Sequence, residues 1–290
     1  MKLVTFQRGP DAAEETGLLT PGGVLPTKEA GLPYDSMNDL IARITPDEWS
    51  ALRAARGPGL PLGEVRLLAP IPRPRQDVLC LGLNYAEHAR EAGQYSQEAF
   101  TADKTWPVFF SKRVTYASGP GAVIPAHEDL TDRLDYEAEL AVILGRDAKN
   151  VPEKDAADYI FGYTILNDVS ARDLQTRHKQ WYFGKSLDGF TPMGPCLLTA
   201  DSVPFPPRLA ISTTVNGELR QDAGTGDLIH GIPEIIATLS RGMTLAAGTI
   251  IATGTPKGVA MGMKTPRFLK KGDVVVCRIE AIGELPNTVG

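Results

Sequence analysis

From Leu134 to Leu144 the chain reads LDYEAELAVIL. Alternate side chains of a strand share a face. Here Tyr136, Ala138, Leu140, Val142 and Leu144 make one apolar face, while Ala141 and Ile143 continue the other beyond Glu137 and Glu139. A strand apolar on both faces has to be buried, so the rest of the chain must cover it. The two glutamates then stand at its mouth, with Cα atoms about 7 Å apart. Ionised carboxylates repel there and burial raises their pKa; a divalent cation removes both difficulties. A second apolar run, YTILNDVS, ends near Asp168. If the two strands are neighbours, Asp168 supplies a third carboxylate. Such an all-oxygen set, with no Cys or nearby His, favours Mg²⁺ or Mn²⁺. Spacing alone does not establish it, because two glutamates facing water on an edge strand are the commoner arrangement.

The chain has 290 residues, 42% hydrophobic and 22% charged, enough for a substantial core in one large or two smaller domains. Its net charge of −5, with acids and bases interspersed, disfavours a nucleic-acid partner. No apolar stretch reaches the roughly 18 residues of a membrane helix. The start, MKLVTFQRGP, lacks the apolar core of a signal peptide. Cys80, Cys196 and Cys277 lie far apart without a CxxC pattern. They read as reduced, buried thiols of a cytoplasmic protein rather than a disulfide or zinc framework.

The pattern changes near residue 67. Residues 1–66 read as a small N-terminal domain that opens on a strand, MKLVTF, and includes a capped helix start at Thr45-Pro46-Asp47-Glu48. The proline-rich LLAPIPRPRQ over 67–76 reads as a linker. Beyond it, residues 67–290 are strand-rich: VLCLGLNY, PVFFSK, YEAELAVILG, YTILNDVS, LAISTTVNG, GTIIATG and DVVVCRIEAIG. Asn216-Gly217 and the KGD at 271–273 mark turns. Helices are expected over 155–161, 170–179 and 233–240, the second with Ser170 and Asp173 at capping-box spacing and the third with Pro233 in its first turn. The fold class is therefore mixed α/β, strand-rich, without the regular alternation of a doubly wound sheet.

Three further stretches carry chemistry. In NYAEHAREAG, Asn84 suits a helix cap, and His88 and Glu91 share a helical face. A carboxylate beside an imidazole makes a usable general base, although a surface ion pair has the same spacing. FGKS at 183–186 lacks the leading glycine of a phosphate loop, Lys179 standing in its place; nucleotide binding is excluded. Lys185 nonetheless sits among aromatics and glycines, where a lysine can stabilise an oxyanion. TGTPKG, from Thr253, follows a strand and suits a carboxylate ligand.

Taken in order, GLNYAEHAREAG, FFSKR, LDYEAELAVILG, GYTILNDVSARDLQ, FGKSLDGFTPMGP, VNGELRQ, GIPEIIATLS and ATGTPKGV resemble the fumarylacetoacetate hydrolase family, from about Leu67 to the C-terminus. The resemblance implies mixed β-sheets rolled around a central metal site, usually in a homodimer. It implies Mg²⁺ or Mn²⁺ on Glu137, Glu139 and Asp168, and a lid helix bearing His88 and Glu91. Substrate contacts fall on Arg172, Gln175, Lys185 and Thr255, with Lys112 a weaker carry-over. No counterpart of the extra acidic ligand of eukaryotic fumarylacetoacetases is found, which points to the smaller branch acting on 2-oxo acids. The leading expectation is hydrolysis of a C–C bond in an acylpyruvate or fumarylpyruvate: His88, oriented by Glu91, activates water, Lys185 stabilises the oxyanion, and pyruvate leaves as an enolate. The same enolate serves an oxaloacetate decarboxylase, or an isomerase or tautomerase of hydroxymuconate-type diacids. A non-catalytic metal-binding protein is least favoured, since a pure binder needs no base. The lid is expected over roughly 90–106.

Overall fold

The computed structural model describes residues 1–98, 100 and 105–290; part of the expected lid segment therefore lies outside the described residues. In chain order the elements begin with β1 (Lys2–Gln7), β2 (Glu15–Thr20), β3 (Gly23–Pro26), α1 (Met37–Arg43), α2 (Pro46–Ala54) and β4 (Arg66–Leu67). Then come β5 (Val78–Gly82), α3 (Ala86–Tyr95), β6 (Val108–Lys112), β7 (Val123–Ile124), β8 (Leu134–Asp135) and β9 (Ala138–Leu144). The central run continues with β10 (Ile160–Asn167), β11 (Ser170–Ala171), α4 (Arg172–Arg177), α5 (Tyr182–Lys185) and β12 (Met193–Thr199). Last are β13 (Ala210–Val215), β14 (Glu218–Gly224), α6 (Ile232–Ser240), β15 (Ile250–Ala252), β16 (Val274–Ile279) and β17 (Gly283–Val289).

The largest sheet runs β3-β2-β1-β12-β10-β9-β15-β5-β6, with β4 beside β1. A five-stranded sheet runs β14-β13-β16-β17-β7, and β8 and β11 make a short ribbon. β9 sits between β10 and β15, antiparallel to both, and every one of its residues is buried. This is why its sequence is an unbroken apolar run. Leu140, Val142 and Leu144 enter one core cluster, and Ala141 and Ile143 the other. The N-terminal strands join the same sheet through β1 and β12, where Lys2 faces Leu198; hydrogen bonding crosses the expected domain boundary at 66/67.

Local signals fared unevenly. Thr45 and Glu48 form the capping box that starts α2, and Pro233 sits in the first turn of α6. Asn216 and Gly217, at φ 51° and 80°, turn β13 into β14 in the left-handed conformation that this dipeptide tolerates. The cap expected of Ser170 does not form. Ser170 lies in β11, its hydroxyl donates to Asp168 O at 2.9 Å, and α4 begins only at Arg172 without a side-chain cap. The helix expected over 155–161 is a 3₁₀ segment, Glu153–Tyr159, that ends where β10 begins. All three cysteines are free and buried. Burial pushes the Cys277 thiol up to about 12 and Cys196 up to about 11. No helix among the described residues is long and apolar enough to cross a membrane.

Leu140 is fully buried at the centre of the sheet. Leu140→Ala should lower unfolding free energy by roughly 2–5 kcal/mol, the range for deleting a buried leucine side chain, measured as a shift in urea midpoint without change of slope.

Candidate metal centre and active site

The antiparallel pairing of β9 and β10 brings the acids together. Glu139 faces Leu166 and Ala138 faces Asn167. One step further, Asp168 N–H donates to Glu137 O at 2.8 Å. Glu137, Glu139 and Asp168 thus converge from two strand ends, each 4% exposed or less, with ligand oxygens within 4.8 Å of one another.

Three buried cations surround them. Lys185 Nζ bridges Glu137 Oε2 and Asp168 Oδ2, 2.6 Å from each. Lys112 Nζ donates to Asp168 Oδ1 at 2.6 Å and to Val169 O at 3.0 Å. Arg172 Nη2 lies 2.7 Å from Glu137 Oε1, and its Nε donates at 2.8 Å to Asp135. A fourth carboxylate, Asp135, is fully buried and also accepts from the backbone N–H groups of Tyr136, Ala260 and Met261.

The cations are not shared evenly. Among the described residues no ion pair reaches Glu139, which accepts only from Gly254 N–H at 2.8 Å. Burial pushes its carboxyl well above the usual range, and Asp168 and Glu137 push it further. Burial also opposes ionisation of Glu137, but Lys185 and then Arg172 outweigh it and hold that carboxyl below the usual range. Burial lowers Lys185 too, yet Asp168 and Glu137 reverse the sign and keep its ammonium charged. Four formal negative charges therefore meet three positive ones, and the deficit falls on Glu139. A proton closes it, or a divalent cation does. Three converging hard oxygens with an uncompensated charge fit Mg²⁺ or Mn²⁺, and a bound ion would leave one positive charge in excess, matched to an anionic substrate.

Beside the acids lies a narrow pocket lined in part by His88, Arg172, Gln175, Lys185 and Thr255. His88 is 4% exposed. The hydrogen bond expected from Glu91 is not formed: His88 Nδ1 is 3.9 Å from Glu91 Oε2 and has no hydrogen-bond partner. Glu91 instead accepts from Gly258 N–H at 3.0 Å. Asn84 does not cap α3 either. Its amide donates to His230 O and Thr253 O, and its oxygen accepts from His230 N–H, which satisfies buried backbone groups. Arg172 and Gln175 hold each other, with Nη1 donating to Gln175 Oε1 at 3.1 Å. Thr255 spends its hydroxyl proton on Ala138 O at 2.9 Å and accepts from Gln221 Nε2 at 2.8 Å. Lys112 stands behind Asp168 and supports the acid directly.

The segment after β15 ties these parts together. Its backbone N–H groups reach Glu139 from Gly254, Glu91 from Gly258, and Asp135 from Ala260 and Met261. Asp135 and Gln221 escaped the sequence reading. Asp135 had a signal, being at the same strand parity as Glu137 and Glu139; Gln221 had none, since its partners are remote in sequence.

Residues 77–290 match the family model described as fumarylacetoacetate (FAA) hydrolase C-terminal. The chain belongs to the fumarylacetoacetate hydrolase family. It is 49% identical over 229 residues to oxaloacetate tautomerase YisK of Bacillus subtilis (strain 168), covering 79% of this chain and 74% of that protein. A fumarylacetoacetate hydrolase from psychrophilic Exiguobacterium antarcticum superposes with TM-score 0.82 at 38% identity, covering 100% of this chain and 99% of that one. Maleylpyruvate hydrolase from Sphingobium sp. SYK-6 superposes with TM-score 0.76 at 32% identity, covering 100% and 99%. The chain is thus a member of an enzyme family with a mixed, strand-rich fold.

Two outcomes follow for the metal centre. Because Glu139 must lose its proton to act as a ligand, Mn²⁺ affinity measured by titration calorimetry should rise with pH above the ordinary carboxylate range. Asp135→Asn, which loosens Arg172 and through it Glu137, should weaken Mn²⁺ binding roughly 10–100-fold, the scale for residues that support ligands.

Proposed function

We propose that this protein is a Mg²⁺- or Mn²⁺-dependent enzyme that moves a proton on a short 2-oxo acid, interconverting the keto and enol forms of oxaloacetate. The observation that carries the reading is His88: a buried imidazole facing a small cavity beside three carboxylates, with Nδ1 free of any hydrogen bond among the described residues. An imidazole so placed can take a proton from one atom and return it to another. The 49% identity to an oxaloacetate tautomerase supports the same choice.

Glu137, Glu139 and Asp168 would hold the ion. When bound, it would act as a Lewis acid that makes the protons beside the 2-oxo group more acidic. The remaining work falls to the chain. His88 accepts a proton from C3 as the C3–H electrons become the C2–C3 double bond, and it delivers a proton to the 2-oxo oxygen. The Lys185 ammonium faces the negative charge that develops on that oxygen. Gln175 and the Thr255 region orient the substrate's carboxylate end. Apolar side chains, Leu81, Leu83 and Met261 among them, keep water from competing for the proton.

Hydrolysis of an acylpyruvate is the second reading, favoured by the likeness to a maleylpyruvate hydrolase. The two separate on products. With the Mg²⁺- or Mn²⁺-loaded enzyme, the ultraviolet absorbance of enol-oxaloacetate should decay faster while NMR finds every carbon retained as the keto form. Carbon dioxide and pyruvate would instead mark a decarboxylase, and pyruvate plus a free acid from acetylpyruvate a hydrolase. His88→Ala should slow turnover by about 10²-fold or more with unchanged Mn²⁺ affinity. Glu139→Ala should abolish metal-dependent turnover; full activity in that variant would refute the metal assignment.

A further inference from the structure

The acids enter the cavity from β9 and β10. The opposite wall comes from β5 and β6, which lie beyond β15 in the same sheet. Trp181 closes that side. Its indole rests directly on Gly82, the last residue of β5; a β-carbon built there would overlap Cζ3 and Cη2 of the ring. Gly82 does not adopt a left-handed φ, so what a side chain there would meet is the indole itself and not backbone strain. The indole also stands edge-on to Phe110, with centroids 5.3 Å apart at 72°, and tilts against Phe100 at 5.5 Å. Phe110 in turn lies 5.4 Å from the Lys185 ammonium that bridges Glu137 and Asp168. One aromatic ring thus separates the indole from the metal-ligating acids. The main chain fixes the spacing, since Lys185 N–H donates to Trp181 O at 3.2 Å across α5.

We propose that Gly82 and Trp181 form a size filter. A 2-oxo acid anchored at the acids would approach the indole as its chain lengthens, so short acids are favoured over those extended by an alkyl or aryl tail. This inference rests on the reading of the site as a 2-oxo acid enzyme, and it names the residues that set the acceptable length. Replacing Trp181 removes the indole and leaves Glu137, Glu139, Asp168, Lys185 and His88 unsubstituted.

The test compares wild type, Trp181→Ala and Trp181→Phe, each loaded with Mg²⁺. The readout is the ratio of kcat/KM for 2,4-dioxooctanoate to that for oxaloacetate. Trp181→Ala should raise the ratio about tenfold or more, the discrimination that apolar pockets draw from chain length, with Trp181→Phe in between. An unchanged ratio in a Trp181→Ala protein of wild-type circular dichroism, or an equal loss on both substrates, would overturn the filter. If Trp181→Ala does not fold, Trp181→Phe decides by the same ratio. If wild type turns over neither substrate, the functional reading fails, and the filter is judged by calorimetric binding of 2-oxobutyrate against 2-oxooctanoate. Preference for the shorter acid in wild type, lost in the variant, supports it; the same preference in both proteins overturns it.

Discussion

Four carboxylates and three cations share one buried volume at the end of β9, and much of the site's architecture answers to that charge imbalance. Burying an unpaired charge is costly, and removing one partner from a buried pair typically costs about 3–5 kcal/mol. Asp135 has Arg172, Glu137 has Arg172 and Lys185, and Asp168 has Lys185 and Lys112. Among the described residues Glu139 has only a backbone N–H group. The fold thus keeps two of the three converging acids charged and leaves the third to be balanced by a proton or a metal. That division follows from which strand ends adjoin which cations.

The segment from Gly254 to Met261 links this electrostatic centre to the cover above it. One stretch of backbone donates to Glu139, to Glu91 on α3 and to Asp135. Glu91 accepts from Gly258 N–H and so helps to dock α3. The apolar seat beneath α3 is small, built from Leu83, Ala92, Phe100, Val259 and Met261. Elements held by so few buried contacts are those that open locally without unfolding the rest. A helix carrying the imidazole on such a seat suits an active site that must admit its substrate and then exclude water.

The converging acids and the aromatic wall stand on different parts of the large sheet. The acids stand on β9 and β10, at the centre of the large sheet, where a change disturbs both core clusters. The aromatic wall stands on β5, β6 and the segment before α5, toward the sheet's edge.

The sequence alone determined the buried central strand, because an unbroken apolar run has only one stable environment. It also determined the strand-rich fold, the capping box at Thr45, the Asn216-Gly217 turn and the identities of Glu137, Glu139 and Asp168 as candidate ligands. These readings depend on local periodicity, local caps and motif order. What it did not reveal are contacts between residues far apart in the chain. Asn84 looked like a helix cap but satisfies backbone groups at 230 and 253, and Glu91 also holds Gly258 N–H while Arg172 and Lys112 also neutralise buried acids. A side chain's type sets which bonds it can make. Only the tertiary structure decides which unpaired group lies within about 3 Å of it, and in a buried site that nearest need takes precedence over sequence neighbours.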